Sequence, residues 1–248
     1  MTAPVAIVTG GAGGMGTAIA TALLDDGFRV ALLDRHGVGP AADGLSGEVL
    51  GVAADVGDED SVRAAVACVD DTWGRVDALV NNAGIEPAHT VSDMDVGLWQ
   101  DTLRVNLTGP ALLMKHCVPL WRRQGGGRVV SIGSRVWLGG GVTPAYSASK
   151  AGLVGLTRVA ARELGALGVT VNVVAPSFVR TAFNAQKADP ATLDDYADRF
   201  AAAAPLGRLV EPADVAHTVA FLVSERARTI TGEVIHVAAG TQLAPTIR

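Results

Sequence analysis

The feature that most constrains this chain is its rhythm. Short apolar runs rich in β-branched residues recur as VAIV 5–8, RVALL 29–33, VLGVAA 49–54, DALV 77–80, GRVVSI 127–132, VTVNVVA 169–175 and EVIHVA 233–238. Helix-length segments lie between them at 15–27, 58–73, 97–123, 145–167 and 212–224. Most of the runs lack polar alternation, as expected of strands covered on both faces. Strand and helix alternating in this way predict a doubly wound α/β architecture, a parallel sheet of seven strands with helices on both faces. No stretch rich in Pro, Gly or Ser divides residues 1–248, so one domain is expected. The segment 182–207, AFNAQKADPATLDDYADRFAAAAPLG, fits the rhythm least. It follows a strand end and reads either as a substrate lid or as an ordinary surface helix pair.

Composition narrows the partners. The net charge of −5 is scattered over both signs, and no basic block suits nucleic acid or an anionic membrane. No apolar run approaches the ~18 residues of a spanning helix. The opening MTAPVAIVTGG enters a strand pattern at once and does not read as a signal peptide. Cys68 and Cys117 are far apart and in no metal-like spacing, which predicts two free thiols, no metal site and a cytoplasmic protein.

The first strand runs into TGGAGGMG, with Gly10, Gly14, Met15 and Gly16 leading into an amphipathic helix. Glycine permits a tight turn and lets the backbone approach a pyrophosphate. The helix start offers free N–H groups and a positive dipole end. The second strand ends at Asp34, 24 residues after Gly10, where a carboxylate can accept hydrogen bonds from the adenine ribose. Such a carboxylate repels a 2′-phosphate and no basic residue lies in the turn, so NAD is expected rather than NADP. Arg35 is the residue that would reverse this preference if Asp34 turned away.

YSASK, 146–150, places Tyr146 four residues before Lys150 on one helix face, in a chain with only two tyrosines. A neighbouring ammonium favours the phenolate, so the pair is expected to lower the tyrosine pKa toward the range useful for proton transfer. Ser134 ends a strand twelve residues earlier, at the edge where an open α/β sheet puts its ligand. Ser131 competes for that role but points to the opposite face.

These stretches, together with DV 55–56, NNAG 81–84, VNLTG 105–109, IGS 132–134, VTVNVVAPSFVRT 169–181 and ITGEVIHV 230–237, resemble the short-chain dehydrogenase/reductase family over nearly the whole chain. The resemblance implies a Rossmann-type domain that moves a hydride between NAD(H) and a secondary alcohol or ketone. Tyr146 would be the general acid/base, Ser134 would hold the reacting oxygen, and Lys150 would also bind the nicotinamide ribose. Asn106 would prop an active-site helix and hold a water that relays protons to the lysine. Asp55 and Val56 would hold the adenine, and Asn82, Ala83 and Gly84 would border its ribose. Val179 and Thr181 would meet the carboxamide and phosphates.

The resemblance further implies a homotetramer assembled through the helices of 97–123 and 145–167 and the last strand. Leu112, Leu113, Leu153, Val154 and Leu156 put apolar residues on more than one face of those helices. Two departures stand out: Pro176-Ser177 where the family commonly has Pro-Gly, and VAAG 237–240 where it usually has an acidic residue and two glycines. The expected substrate neighbours are Arg135, Trp137, Ser177 and Phe178, with Glu86 and His89 nearby. The two aromatic rings suit an apolar or aromatic substrate, whereas Arg135 and His89 would suit a carboxylate or face solvent. Two rival functions remain: a 3-oxoacyl-carrier-protein reductase using NADPH, and a dinucleotide-binding regulator without turnover.

Overall fold

The computed structural model describes residues 2–138, 143–185 and 189–243. Seven parallel strands form one sheet: β1 (Val5–Thr9), β2 (Arg29–Asp34), β3 (Val49–Ala53), β4 (Ala78–Asn81), β5 (Gly127–Ile132), β6 (Val169–Pro176) and β7 (Val234–Val237). Their spatial order is β3-β2-β1-β4-β5-β6-β7. The order reverses between β1 and β4, and the crevice at the carboxyl ends of those strands is where such sheets take a ligand.

Alternate residues of each strand feed two cores, because successive side chains point to opposite faces. Val5, Ile7, Leu33, Leu79 and Val129 pack against α3 (Glu59–Trp73), α5 (Gly109–Gln124) and α6 (Pro144–Leu164). Ala6, Val8, Leu32, Val80 and Val130 pack against α1 (Gly14–Asp25) and α9 (Pro212–Val223). The unalternating apolar runs of the sequence are this two-sided burial.

Three elements depart from the sequence reading. Residues 38–43 form a short helix, α2 (Val38–Asp43), which Gly39 and Pro40 conceal in the sequence. The single helix expected over 97–123 is α4 (Val96–Leu103), a π-turn (Arg104–Thr108) and α5. The segment 182–207 contains α7 (Ala182–Ala185) and α8 (Pro190–Ala203), and its residues 186–188 lie outside the described part.

Leu113, Leu153 and Val154 are buried within the single chain, and Leu112 and Leu156 pack against the core that holds Leu113. Their apolar character therefore needs no second subunit. Cys117 is buried, Cys68 is exposed and neither is bonded to the other. Among the described residues no helix is long and apolar enough to cross a membrane.

Candidate active site

The turn after β1 is shaped by close approach. Gly10 has φ +63°, a conformation that L side chains avoid. A Cβ on Gly16 would stand 2.1 Å from the Gly10 carbonyl oxygen, so the helix can start there only with glycine. A Cβ on Gly14 would meet nothing within 4 Å. No side chain caps α1, which leaves its first-turn N–H groups to an outside acceptor. Met15 packs its side chain toward the core beneath. Asp34 closes the turn from β2, where its Oδ2 accepts from the Ala12 N–H at 3.2 Å and its Oδ1 from the Arg35 N–H at 2.8 Å. Asn82 ties β4 to the same turn, donating to the Thr9 carbonyl at 2.9 Å and the Gly10 carbonyl at 3.2 Å. The Ala83 N–H donates to Thr9 Oγ1 at 3.0 Å.

An uncapped helix start, open space at Gly14 and a carboxylate at the end of β2 fit a dinucleotide with its pyrophosphate on α1 and its ribose at Asp34. Asp55 stands differently. Its carboxylate accepts from the Gly57 N–H at 2.8 Å and from Arg104 Nη1 at 3.2 Å. Burial raises its pKa, but these two partners outweigh burial and hold it below the usual carboxylate range. Val56 beside it is buried against Gly109.

The polar groups at the ends of β4 and β5 meet α6. The Ser134 hydroxyl faces the Tyr146 phenol closely enough to favour its ionised form, and its Oγ accepts from the Val136 N–H at 3.4 Å. Lys150 Nζ lies 5.4 Å from the centre of the Tyr146 ring and donates to the Ile132 carbonyl at 2.7 Å. Ser131 is turned away, accepting from Asn81 at 3.2 Å. Asn106, inside the π-turn, accepts from the Ile85 N–H at 2.8 Å and donates to the Ile85 carbonyl at 2.9 Å. It also donates to Ser149 Oγ at 3.1 Å, and Ser149 in turn donates to the Tyr146 carbonyl at 2.7 Å. Asn106 thereby joins the loop after β4 to α6, and Gly84 leaves room for it: a Cβ there would come within 3.3 Å of Asn106 Oδ1. A π-turn of this kind inserts one residue and re-aims a side chain.

The electrostatics reverse one expectation. Burial pushes the Tyr146 phenol above its ordinary range, the Glu86 carboxylate adds to the rise, and the Ser134 hydroxyl opposes both. Lys150 does not lower it in this arrangement, because the lysine titrates below the tyrosine and has lost its charge before the phenol ionises. Burial lowers Lys150 itself to about 8, against a smaller opposing pull from Glu86. Glu86, which accepts from Thr143 Oγ1 at 3.1 Å, thus acts on both members of the pair. The sequence reading placed Glu86 near the substrate and missed this coupling, and it missed Ser149 altogether. Only the i+3 position of Ser149 on the Tyr146 face could have signalled it.

The substrate-side residues separate into two groups. Phe178 stacks with Phe200 at 5.4 Å and meets Tyr196 at 5.9 Å, both on α8, while the Arg135 guanidinium lies 5.3 Å from the centre of the Phe200 ring. Trp137 stacks on His236 of β7 at 5.9 Å and donates to its Nε2 at 3.1 Å. Burial lowers the His236 pKa, in keeping with a neutral ring accepting that bond. The Ser177 N–H donates to the Val237 carbonyl at 3.2 Å. Val179 is buried and bridges to Val210, and the Thr181 carbonyl accepts from the Asn184 N–H. His89 is buried with Nδ1 3.0 Å from the Pro87 carbonyl oxygen. In VAAG, Ala239 takes φ +48°, the one non-glycine residue in the left-handed region among the described residues.

Comparison with known proteins agrees with this geometry. The family model described as Enoyl-(Acyl carrier protein) reductase matches residues 10–242. The (2S)-[(R)-hydroxy(phenyl)methyl]succinyl-CoA dehydrogenase subunit BbsD of Thauera aromatica is 37% identical over 245 residues, 96% of each chain. The 3-oxoacyl-[acyl-carrier-protein] reductase FabG of Vibrio cholerae is 37% identical over 239 residues, covering 95% of this chain and 96% of its own. A variant of actinorhodin polyketide ketoreductase solved with NADPH superposes with a TM-score of 0.91 at 33% identity, over 98% of both chains.

Proposed function

The chain belongs to the short-chain dehydrogenase/reductase family, and we propose that within it the protein is an NAD(H)-dependent dehydrogenase of secondary alcohols, or reductase of the matching ketones. The observation that carries this reading is the meeting of Tyr146, Ser134 and Lys150 at the carboxyl end of β5, beside the glycine turn. A bare dinucleotide-binding regulator has no use for that arrangement.

When bound, the nicotinamide supplies the acceptor or donor of a hydride. In oxidation the substrate loses a hydride from carbon and a proton from oxygen, and Tyr146, as the phenolate, takes the proton. In reduction Tyr146 returns a proton to the carbonyl oxygen while Ser134 donates to that same oxygen and fixes its place. Lys150 holds a proton at Nζ in a buried setting where its pKa of about 8 makes exchange near neutrality easy. Asn106 positions rather than reacts, holding the backbone of Ile85 and, through Ser149, the start of α6. The adenine ribose is assigned to Asp34 and the pyrophosphate to the first turn of α1, with Tyr146 and Lys150 facing the nicotinamide end. Asp34 supports NAD over NADP, because a 2′-phosphate beside that carboxylate is repelled.

The FabG relative supports a second reading, a 3-oxoacyl-carrier-protein reductase, with Arg35 then accepting the 2′-phosphate of NADPH. Phe178, Tyr196 and Phe200 favour a flat apolar substrate group instead, and the Thauera relative is named for a hydroxy(phenyl)methyl compound. A homotetramer fits the exposed Val159 of α6 and the exposed Leu206, Phe221 and Leu243 near β7, and light scattering on the purified protein tests it.

Calorimetric titration with NADH and NADPH, on the wild type and Tyr146→Phe, tests the whole reading. NADH is expected to bind more tightly than NADPH in both proteins. Turnover of a ketone panel is expected to fall about 1,000-fold in the variant, the usual scale of a positioned acid/base. Tighter NADPH moves the carrier-protein reductase forward, and full turnover by Tyr146→Phe sinks the acid/base assignment.

A further inference from the structure

Five described arginines are partly buried: Arg29, Arg75, Arg104, Arg128 and Arg135. The first four each have a carboxylate within 4 Å, on Glu48, Asp77, Asp55 and Glu225 respectively. Arg135 has none among the described residues. The other described arginines without an acidic partner are all exposed, where water serves them. A guanidinium withdrawn from solvent ordinarily has a paired anion, so Arg135 is the exception to the rule that the rest of this chain follows.

Its position gives the exception meaning. Arg135 directly follows Ser134, whose hydroxyl faces the Tyr146 phenol. Its side chain crosses from the end of β5 to α8, where the guanidinium faces the Phe200 ring at 5.3 Å. Phe200 is itself stacked on Phe178, which steadies the ring. A guanidinium over a ring still has N–H donors in its fork to offer a bidentate acceptor. On the Thr143 side, the Glu86 carboxylate repels a second anion from Tyr146 and Lys150.

We propose that the substrate is an oxo acid or hydroxy acid, whose carboxylate is received by Arg135 while its carbonyl or carbinol oxygen lies at Ser134 and Tyr146. The inference rests on the reading of those two hydroxyls as the reacting end. Arg135 is then the residue that sets substrate class, with Phe200 holding its guanidinium in place.

The test compares benzoylformate and 3-benzoylpropionate with their methyl esters, which keep the ketone and lose the charge. NADH and NADPH are both supplied, so cofactor choice does not enter. At least one acid is expected to exceed its ester in kcat/KM by about 10-fold to 100-fold, the scale of a hydrogen-bonded charge pair. In Arg135→Met that ratio is expected to fall to about one, chiefly through KM, with Arg135→Lys intermediate because it keeps the charge without the fork. An acid-to-ester ratio near one in the wild type overturns the proposal, and so does a ratio that survives Arg135→Met. Calorimetric binding of the same probes to the NADH complex separates the two readings. Selective acid binding without turnover sustains the role of Arg135 and tells against the acid/base assignment, and no selective binding of either acid overturns the role of Arg135.

Discussion

α1 and α8 flank the two ends of the same site, with 12 and 14 residues respectively. α1 buries Gly16, Ile19, Ala20 and Leu23 against the sheet. α8 buries only Ala197 and meets the rest of the chain through aromatic rings and the Arg180–Asp194 ion pair. The dinucleotide end is therefore rigid by close packing, where one carbon atom too many is felt. The proposed substrate end is a light contact, which can change without disturbing the sheet. A shared cofactor chemistry and a divergent substrate are what such a division permits.

The strongest way to break this comparison is Gly16→Ala. The added Cβ would meet the Gly10 carbonyl oxygen at 2.1 Å, the Gly11 Cα at 2.8 Å and the Gly10 carbonyl carbon at 2.9 Å, and backbone atoms cannot swing aside. Dinucleotide affinity is expected to fall about 100-fold and stability by about 1–3 kcal/mol. Titration with NADH and a denaturant melt read both, and unchanged values would mean that the turn is far softer than its packing implies.

Lys150 sharpens the comparison through pH. Its proton is held less tightly in the fold, at about 8, than at the ordinary 10.5, so the unfolded chain binds more protons between those values. The burial penalty is then full below pH 8 and is relieved as pH rises toward 10.5. Lys150→Met removes the penalty and is expected to gain about 1–3 kcal/mol at pH 7, less whatever the lost bond to Ile132 contributed. The gain should shrink at pH 10. A gain that is flat with pH would show that the buried ammonium is not its source.

Phe200→Ala probes the light end and should have the smallest effect on stability, below about 1.5 kcal/mol against the ~3–5 kcal/mol of a fully buried ring. Its mark should fall on KM for substrate, with dinucleotide affinity unmoved. A loss of stability on the scale of a core ring would show that α8 belongs to the folded core after all.

Much of this was legible in the chain itself. Seven apolar runs became the seven strands within a residue or so at most ends, because two-sided burial writes an unbroken apolar run. That Ser134, Tyr146 and Lys150 come together was legible because a strand end and an i, i+4 pair are local geometry. The break in 97–123 was not. It is made by a side chain of the turn reaching Ile85, 21 residues away, and by Gly109 fitting under Val56. The direction of the Tyr146 shift was misjudged for the same kind of reason: helix spacing places Lys150 near Tyr146, but only the packed structure shows that burial lowers the lysine below the phenol, so that its charge is gone before the phenol ionises.

The sequence alone determined the sheet, the glycine turn, the acidic end of β2 and the family, since each depends on residues close together in the chain. Tertiary structure alone decided that Trp137 turns to His236, that Glu86 acts on Tyr146 and Lys150, and that Arg135 lies against Phe200 with no carboxylate partner among the described residues. Those pairs span up to 99 residues of chain. No local preference encodes such a meeting, which exists only once the strands have been brought side by side.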